Sequence, residues 1–120
     1  MHELSIAMSI VELAEEEAAS RGAQIDAVHL KLGALSGVVK EALLSCYEMA
    51  CESTVLQGSR LIIQDVPVVI FCSTCNAERA LSSMQLFCCA ECSAPATQII
   101  HGKELEVVAL EIKECVPNPA

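Results

Sequence analysis

The chain has 120 residues, of which 53% are hydrophobic, and its formal net charge is −9. That length allows one ordinary domain with a small additional module, and the hydrophobic content excludes a disordered chain. The negative charge disfavours nucleic acids and acidic membrane surfaces as partners and favours a metal cation or a cationic protein surface.

The longest apolar run is far below the roughly 18 residues that span a bilayer. No basic segment followed by an apolar segment is visible near the start, so we expect no secretory signal and a cytoplasmic location. In that compartment the eight cysteines of the chain favour a metal site over disulfides.

Two helices are predicted from apolar residues that recur every three or four positions. The first covers residues 4–20 and ends before Gly22, a plausible C-terminal stop. Its expected apolar stripe is Leu4, Met8, Val11, Ala14 and Ala18. The second covers residues 38–52, with the expected stripe Val39, Ala42, Leu43, Cys46, Met49 and Ala50.

Three strands are predicted around these helices. Residues 25–32 alternate, so that Val28, Leu30 and Leu32 face one way and Ala27, His29 and Lys31 the other. Residues 60–66 form a second strand that Pro67 ends. Residues 104–112 are strongly strand-like, but their alternation slips near Val107 and Val108, through either a bulge or burial on both faces.

The order of elements predicts an α+β fold: two helices packed on a small mixed three-stranded sheet, with an inserted zinc-ribbon-like module. The main domain is expected to be discontinuous, comprising residues 1–67 and 103–116. The insert covers residues 68–102, where apolar periodicity is lost and the cysteines concentrate. Residues 117–120 are expected to form a frayed tail.

The insert contains two CxxC motifs, "CSTC" and "CAEC", separated by thirteen residues; their cysteines are Cys72, Cys75, Cys89 and Cys92. Two such pairs, brought together by a hairpin, supply four thiolates for one tetrahedral ion, and zinc suits that set. A closed shell of four sulfurs indicates a structural site. Because the insert has almost no apolar core of its own, we expect the metal to supply its folding energy.

Cys88 precedes Cys89, and a Cys88–Cys92 pair would also have a permitted spacing. We favour Cys89, because its two-residue gap repeats that of the first pair. The remaining cysteines are interpreted as small buried or neutral thiols: Cys46, Cys51 and Cys115.

The sequence disfavours two other classes of function. A nucleic-acid-binding zinc ribbon needs basic and aromatic side chains, but the insert carries Arg79 as its only Lys or Arg, with Phe71 and Phe87 as its aromatics. A redox CxxC needs a thioredoxin-like βαβ context, which is missing, and hydrolysis needs an open metal position or a nucleophile with an oriented base. His29 and His101 are interpreted as satisfied or solvated histidines.

The start of the chain, "MHE", places an imidazole one residue from an α-amine. The amine, the intervening backbone nitrogen and the His2 imidazole can chelate one ion in fused rings, and the Glu3 amide nitrogen can add a fourth donor. Such a planar nitrogen set favours Ni(II) or Cu(II) over zinc. From position alone, a solvated histidine at a frayed end remains the simpler interpretation.

The chain resembles the HypA/HybF family of nickel-insertion chaperones in [NiFe]-hydrogenase maturation. The resemblance rests on "MHELS", "LKLGALSGV" (30–38), the two CxxC motifs and "GKELEVVALEI" (102–112), which occur in order over nearly the whole length. It implies a metallochaperone and not an enzyme. It also implies nickel binding at Met1, His2 and Glu3, and a structural Zn(II) at Cys72, Cys75, Cys89 and Cys92.

The resemblance further implies two protein partners, a HypB-type GTPase and the precursor of the hydrogenase large subunit, for a chain that is a monomer or weak homodimer. It makes residues 1–67 and 103–116 the nickel-binding domain. The chain departs from the family pattern after "LSGV", where an acidic residue is common. Here Val39 and Lys40 follow, and Glu41 is the nearest carboxylate. Ala90 replaces a proline that is common after the first cysteine of the second pair.

Overall fold

The computed structural model describes residues 2–81, 87–96 and 98–113. Met1 of the predicted nickel site, Cys115 and the predicted tail 117–120 lie outside these residues. The elements in chain order are α1 (Glu3–Arg21), β1 (Gln24–Gly33), α2 (Lys40–Cys51), β2 (Arg60–Val66), β3 (Val69–Cys72), β4 (Ala77–Ala80), β5 (Gln98–His101) and β6 (Leu105–Lys113).

Helix α1 begins one residue earlier than predicted and ends at Gly22, whose φ of 58° is left-handed and whose N–H donates to the carbonyls of Ala18 and Ala19. The buried stripe differs from the predicted one, because Leu4 and Met8 are 42% and 52% exposed. The buried residues are Ile6, Ala7, Ile10, Val11, Ala14 and Ala18. The stripe is therefore rotated toward the isoleucines, which the sequence pattern had left out.

Helix α2 buries three residues at a spacing of four, Leu43, Tyr47 and Cys51. The prediction of Val39 and Met49 as apolar-stripe residues was wrong, since these side chains are 56% and 60% exposed. The Tyr47 hydroxyl is within 2.7 Å of the Ser59 hydroxyl oxygen. This hydrogen bond explains how a phenol can be buried where the pattern favoured aliphatic residues.

The first sheet has the strand order β2–β1–β6, and with the two helices it confirms the predicted α+β class. In β1, Ala27 and Val28 are both fully buried, although the predicted alternation places them on opposite faces of the strand. The strand buries Ile25 and Ala27 before this point and Leu30 and Leu32 after it. Because successive strand residues point to opposite faces, both faces of β1 are covered at Ala27 and Val28, within a strand that has a neighbour on each side.

A second sheet, which the sequence pattern did not predict, has the order β4–β3–β5 with antiparallel pairing. Its side chains give the cysteine-rich region a small core, contrary to expectation, because Val68 and Ile70 are buried there together with two cysteines. None of the described helices has the length and apolar character needed to cross a membrane.

The chain divides into two compact units. One contains residues 1–30, 38–64 and 106–120, and the other contains residues 31–37 and 65–105. The domain boundaries expected from the sequence, with an insert at residues 68–102, remain a prediction.

Within the second unit, Gly33 lies directly against the segment that follows β5. Its N–H donates to the Glu104 carbonyl at 2.7 Å, and the Leu35 N–H donates to the Gly102 carbonyl at 2.6 Å. A Cβ at position 33 would overlap the Gly102 carbonyl group. Only glycine fits this approach of two backbones.

Candidate metal centre

Two turns bring the four cysteines of the CxxC motifs together. Cys72 ends β3 and pairs with Ala77 of β4, so the first motif occupies the connection between these strands. The second turn closes in the same manner, since the Cys89 N–H donates to the Ala94 carbonyl at 2.8 Å. Backbone hydrogen bonds therefore position the two cysteine pairs so that their side chains converge.

The sulfur atoms of the four cysteines all lie within 4.8 Å of one another. Cys72 Sγ is 3.4 Å from Cys92 Sγ, and Cys75 Sγ is 3.9 Å from Cys89 Sγ. A tetrahedron with zinc–sulfur bonds of about 2.3 Å has sulfur–sulfur edges of about 3.8 Å. The donor set and its spacing fit a zinc ion, and these are the four residues that the sequence predicted as its ligands.

The two CxxC turns share one local geometry. In the first, the Cys75 N–H donates to Cys72 Sγ at 3.4 Å, and in the second the Cys92 N–H makes the same contact to Cys89. The residue after each motif has a left-handed backbone, with φ of 52° at Asn76 and 62° at Ser93. In each pair the first cysteine is buried and the second is more exposed.

Backbone donors make the buried cysteines more acidic. The N–H of Cys92, and then that of Glu91, lowers the pKa of the Cys89 thiol to about 6. The N–H of Cys75 lowers the pKa of the Cys72 thiol in the same manner. Because only the thiolate is a good metal ligand, this arrangement lowers the cost of preparing the site for a metal.

The cluster includes Cys89 and excludes its neighbour Cys88. Cys88 instead belongs to a β-bridge with Pro95 and is half-buried. Two of the other cysteines lie in α2: Cys46 is half-buried, and buried Cys51 has its sulfur 3.8 Å from the Ser59 hydroxyl oxygen. Among the described residues, the four-cysteine cluster is the only group of three or more side chains arranged to hold a metal.

His2 and Glu3, two of the predicted nickel ligands, lie at the start of α1. His2 is exposed and is the N-cap of α1, with extended backbone angles of φ −83° and ψ 137°. Glu3 is the first residue of the helix, and its carboxylate accepts a hydrogen bond from the Val39 N–H at 3.3 Å. This hydrogen bond lowers the pKa of the Glu3 carboxyl group. Glu41 lies in the first turn of α2 and is exposed.

Two histidines have carboxylate partners that were not recognised in the sequence. His29 Nε2 is 3.3 Å from Glu111 Oε2, and His101 Nδ1 is 3.1 Å from Glu104 Oε2. The first pair joins β1 to β6, a proximity that no local pattern could indicate. The second has an i, i+3 spacing at the end of β5, which did offer a local signal. Both pairs agree with the interpretation of these histidines as satisfied side chains.

Comparisons with known proteins agree with this geometry. Residues 1–112 match the family model described as HypA, hydrogenase/urease nickel incorporation, metallochaperone. The chain belongs to the HypA family. This is a family of metallochaperones and maturation factors and not of catalytic enzymes, as the sequence predicted.

Relatives resemble the chain over nearly its whole length. A hydrogenase maturation factor HypA of Chloroflexus aurantiacus is 54% identical over 112 residues, which cover 92% of this chain and 98% of the relative. The factor of the same name from Roseiflexus sp. is 48% identical over 119 residues, which cover 98% of this chain and 97% of the relative.

Solved structures of HypA proteins share the fold. The solution structure of the Ni metallochaperone HypA from Helicobacter pylori has a TM-score of 0.61 at 28% identity, covering 93% of this chain and 97% of the other. A second solution structure of a HypA protein has a TM-score of 0.71 at 28% identity, covering 94% and 97%.

Proposed function

We propose that this chain is a nickel metallochaperone that binds Ni(II) at its N-terminus and passes it to the large-subunit precursor of a [NiFe]-hydrogenase, with a HypB-type GTPase as partner. The observation that carries the proposal is the match of residues 1–112 to the nickel-incorporation family. Two features of the first residues support the same assignment: backbone N–H groups at the start of α1 that have no intrahelical acceptor, and an exposed imidazole beside them.

The backbone at the start of α1 is suited to supply nitrogen ligands. The first four N–H groups of a helix have no intrahelical acceptor, so the Glu3 amide can lose its proton to a metal without breaking a helical hydrogen bond. The same holds for the amide of His2, which precedes the helix. We propose the Met1 amine, these two amide nitrogens and the His2 imidazole as the four donors.

The charge of such a complex also suits a helix N-terminus. A bare cation would be repelled there by the partial positive charge of the helix. Ni(II) held by two deprotonated amides, a neutral amine and a neutral imidazole carries no net charge, which removes this repulsion. The exposure of His2 leaves the ion open to a client that takes it by ligand exchange.

The four-cysteine cluster is proposed to hold a structural Zn(II) that is not transferred. Cys72, Cys75, Cys89 and Cys92 would fill all four positions of a tetrahedral ion, so no position stays open for water or a substrate. When bound, zinc supplies no redox chemistry and serves to fold the region around the two turns. The residues themselves position the thiolates through the backbone donors described above.

Nickel titration by calorimetry and absorption spectroscopy tests the nickel site. Wild-type protein that starts at Met1 is compared with His2→Ala and with a variant extended by two residues, and His29→Ala is the matched histidine control. We expect both terminal changes to abolish the square-planar Ni(II) absorption, because each removes or displaces a donor, while His29→Ala keeps it. Zinc content should stay equal in all four proteins. Wild-type affinity in His2→Ala would refute the site.

Transfer is tested separately by mixing nickel-loaded protein with the large-subunit precursor, with and without the GTPase. We expect nickel to appear in the precursor only when loaded wild-type protein is present. Equal transfer from the His2→Ala protein would contradict the delivery step.

A further inference from the structure

Arg79 is the only Lys or Arg residue between residues 68 and 102, a stretch that also contains Glu78 and Glu91. Four thiolates around Zn(II) leave two surplus negative charges on the complex. The single arginine is therefore the only permanently cationic side chain that this part of the sequence can offer to that charge.

The pairing of β3 with β4 directs Arg79 toward the cysteine cluster. Arg79 lies opposite Ile70, and Ala77 lies opposite Cys72. Directly paired residues of antiparallel strands project to the same face, and both Ile70 and Cys72 are buried. Arg79 thus shares the face of the sheet that carries the first ligand, and it is half-buried there.

The Arg79 guanidinium is within hydrogen-bonding reach of the sulfurs of Cys75 and Cys89, one from each CxxC pair. Its Nε is buried and has no hydrogen-bond partner among the described residues. Burying an unpaired donor of a charged group is unfavourable unless a nearby anion compensates it. Thiolates on a metal would be such anions, and they accept hydrogen bonds better than neutral thiols.

We propose that Arg79 is a positioning residue of the four-cysteine metal site, which neutralises part of its charge, holds the sulfurs of Cys75 and Cys89, and thereby leaves Cys92 as the sulfur that dissociates first. The inference rests on the zinc assignment proposed above. It goes beyond that assignment, because it gives the four ligands unequal roles.

The unequal roles follow from exposure and contact together. Cys72 and Cys89 are buried, Cys75 is half-buried beside Arg79, and Cys92 is exposed. A thiolate that accepts a hydrogen bond from a cation is less nucleophilic toward an external reagent than one that does not.

The test compares zinc-loaded wild-type protein with Arg79→Gln and Arg79→Lys, at one pH and ionic strength. Arg21→Gln is the matched control, because Arg21 is exposed and forms an ion pair with Glu17 at the end of α1. Zinc transfer to excess 4-(2-pyridylazo)resorcinol gives the release rate. Brief treatment with iodoacetamide, followed by peptide mass mapping, gives the order in which the cysteines are alkylated.

Removal of an outer partner of metal ligands commonly weakens metal binding by about 10- to 100-fold. We therefore expect Arg79→Gln to release zinc about tenfold faster than wild type, and Arg79→Lys to fall between them, since lysine keeps the charge but lacks the planar fork. Arg21→Gln should match wild type. Among the four ligands, Cys92 should be alkylated first in wild type, and in Arg79→Gln Cys75 should react at a rate similar to that of Cys92.

Zinc release from Arg79→Gln within twofold of wild type, with an unchanged alkylation order, would overturn the role of Arg79 while leaving the zinc site intact. Wild-type protein without bound zinc would overturn the zinc assignment and this inference together. If Arg79→Gln fails to fold, Arg79→Lys decides: zinc release and an alkylation order that both match wild type would overturn the positioning role.

Discussion

The Val39 N–H donates to the Glu3 carboxylate across 3.3 Å, which joins the first turn of α1 to the residue that precedes α2. This carboxylate is therefore occupied by the protein itself. If Glu3 contributes to nickel binding, its amide nitrogen is better placed to do so than its side chain.

Glu3→Pro separates these two possibilities. Glu3 is the first helical residue, where proline is well tolerated, and the extended backbone of His2 suits a residue before proline. We expect Glu3→Pro to abolish square-planar nickel absorption, because a proline nitrogen in a peptide bond cannot ligate. Glu3→Ala loses the same contact with Val39 but keeps the amide, and should retain the absorption. Loss of nickel in both variants would assign the carboxylate as the ligand.

Cysteine-to-serine exchange at adjacent positions tests which thiol completes the cluster. Cys89 is buried within the cluster and Cys88 lies outside it. We expect Cys88→Ser to bind one zinc per chain with the wild-type release rate. Cys89→Ser should bind zinc much more weakly, because it keeps only three thiolates. Metal analysis after dialysis is the measurement, and equal zinc loss in the two variants would contradict the assignment.

Zinc removal should affect the second sheet selectively. The side chains that would remain as its core include Val68 and Ile70, while structural zinc contributes about 10–16 kcal/mol in small zinc modules. In amide NMR spectra recorded after chelation, we expect the signals of β3, β4 and β5 to lose their dispersion and those of α1 and α2 to keep theirs. Re-addition of zinc is the control for reversibility. An unchanged spectrum of the zinc-free protein would show that the sheet folds without metal.

Gly33→Ala should destabilise the protein by steric overlap alone. The new Cβ would meet the Gly102 carbonyl group, which is backbone and cannot rotate away. Overpacking of this kind costs about 1–3 kcal/mol, and rigid backbone favours the upper end. Gly22→Ala is the matched control, since its Cβ meets open space and only the left-handed φ opposes it, at about 1–2 kcal/mol. Urea denaturation of both variants measures the difference, and a smaller loss at Gly33 than at Gly22 would contradict the overlap.

Glu104 should titrate below the ordinary glutamate pKa of 4.5. The Gly102 N–H, which lies 2.7 Å from Glu104 Oε1, is the main cause of the lowered pKa, and His101 adds a smaller contribution. Because the pKa is lower in the folded state, the carboxylate stabilises the fold above pH 4.5, and this contribution is lost as the pH falls through the lowered pKa.

A carbon-detected NMR titration of the Glu104 carboxyl group measures this shift directly. We expect His101→Ala to raise the pKa slightly, since the backbone donor remains. A wild-type midpoint at or above 4.5 would count against the hydrogen bond from Gly102.

The residues of the metal site were predictable because each CxxC motif places two potential metal ligands close together in the sequence. Their spacing favoured Cys72, Cys75, Cys89 and Cys92, which the structure brings together. The role of Arg79 was not predictable. Its relation to the sulfurs depends on the β3–β4 register, and the strands that set this register are only four residues long, too short for periodicity to reveal.

The helices were predicted closely in extent but less well in orientation. Leu4 and Met8 match a helical stripe as well as Ile6 and Ile10 do, so the sequence could not decide which face is covered. Burial of Tyr47 depends on Ser59, a residue outside the helix. Tertiary packing determines which face of each helix is buried, and the local spacing of hydrophobic residues does not contain that information.

The two CxxC turns have the same backbone conformation. In each, an N–H donates to the sulfur of the first cysteine, and the residue after the second cysteine is left-handed. A five-residue segment of either turn is therefore a self-contained half of a four-sulfur cage. Grafting residues 72–76 in place of 89–93 would duplicate one half and leave the cage chemically symmetric. Differences in behaviour between the halves of such a chimera would then come from their surroundings and not from their own loops.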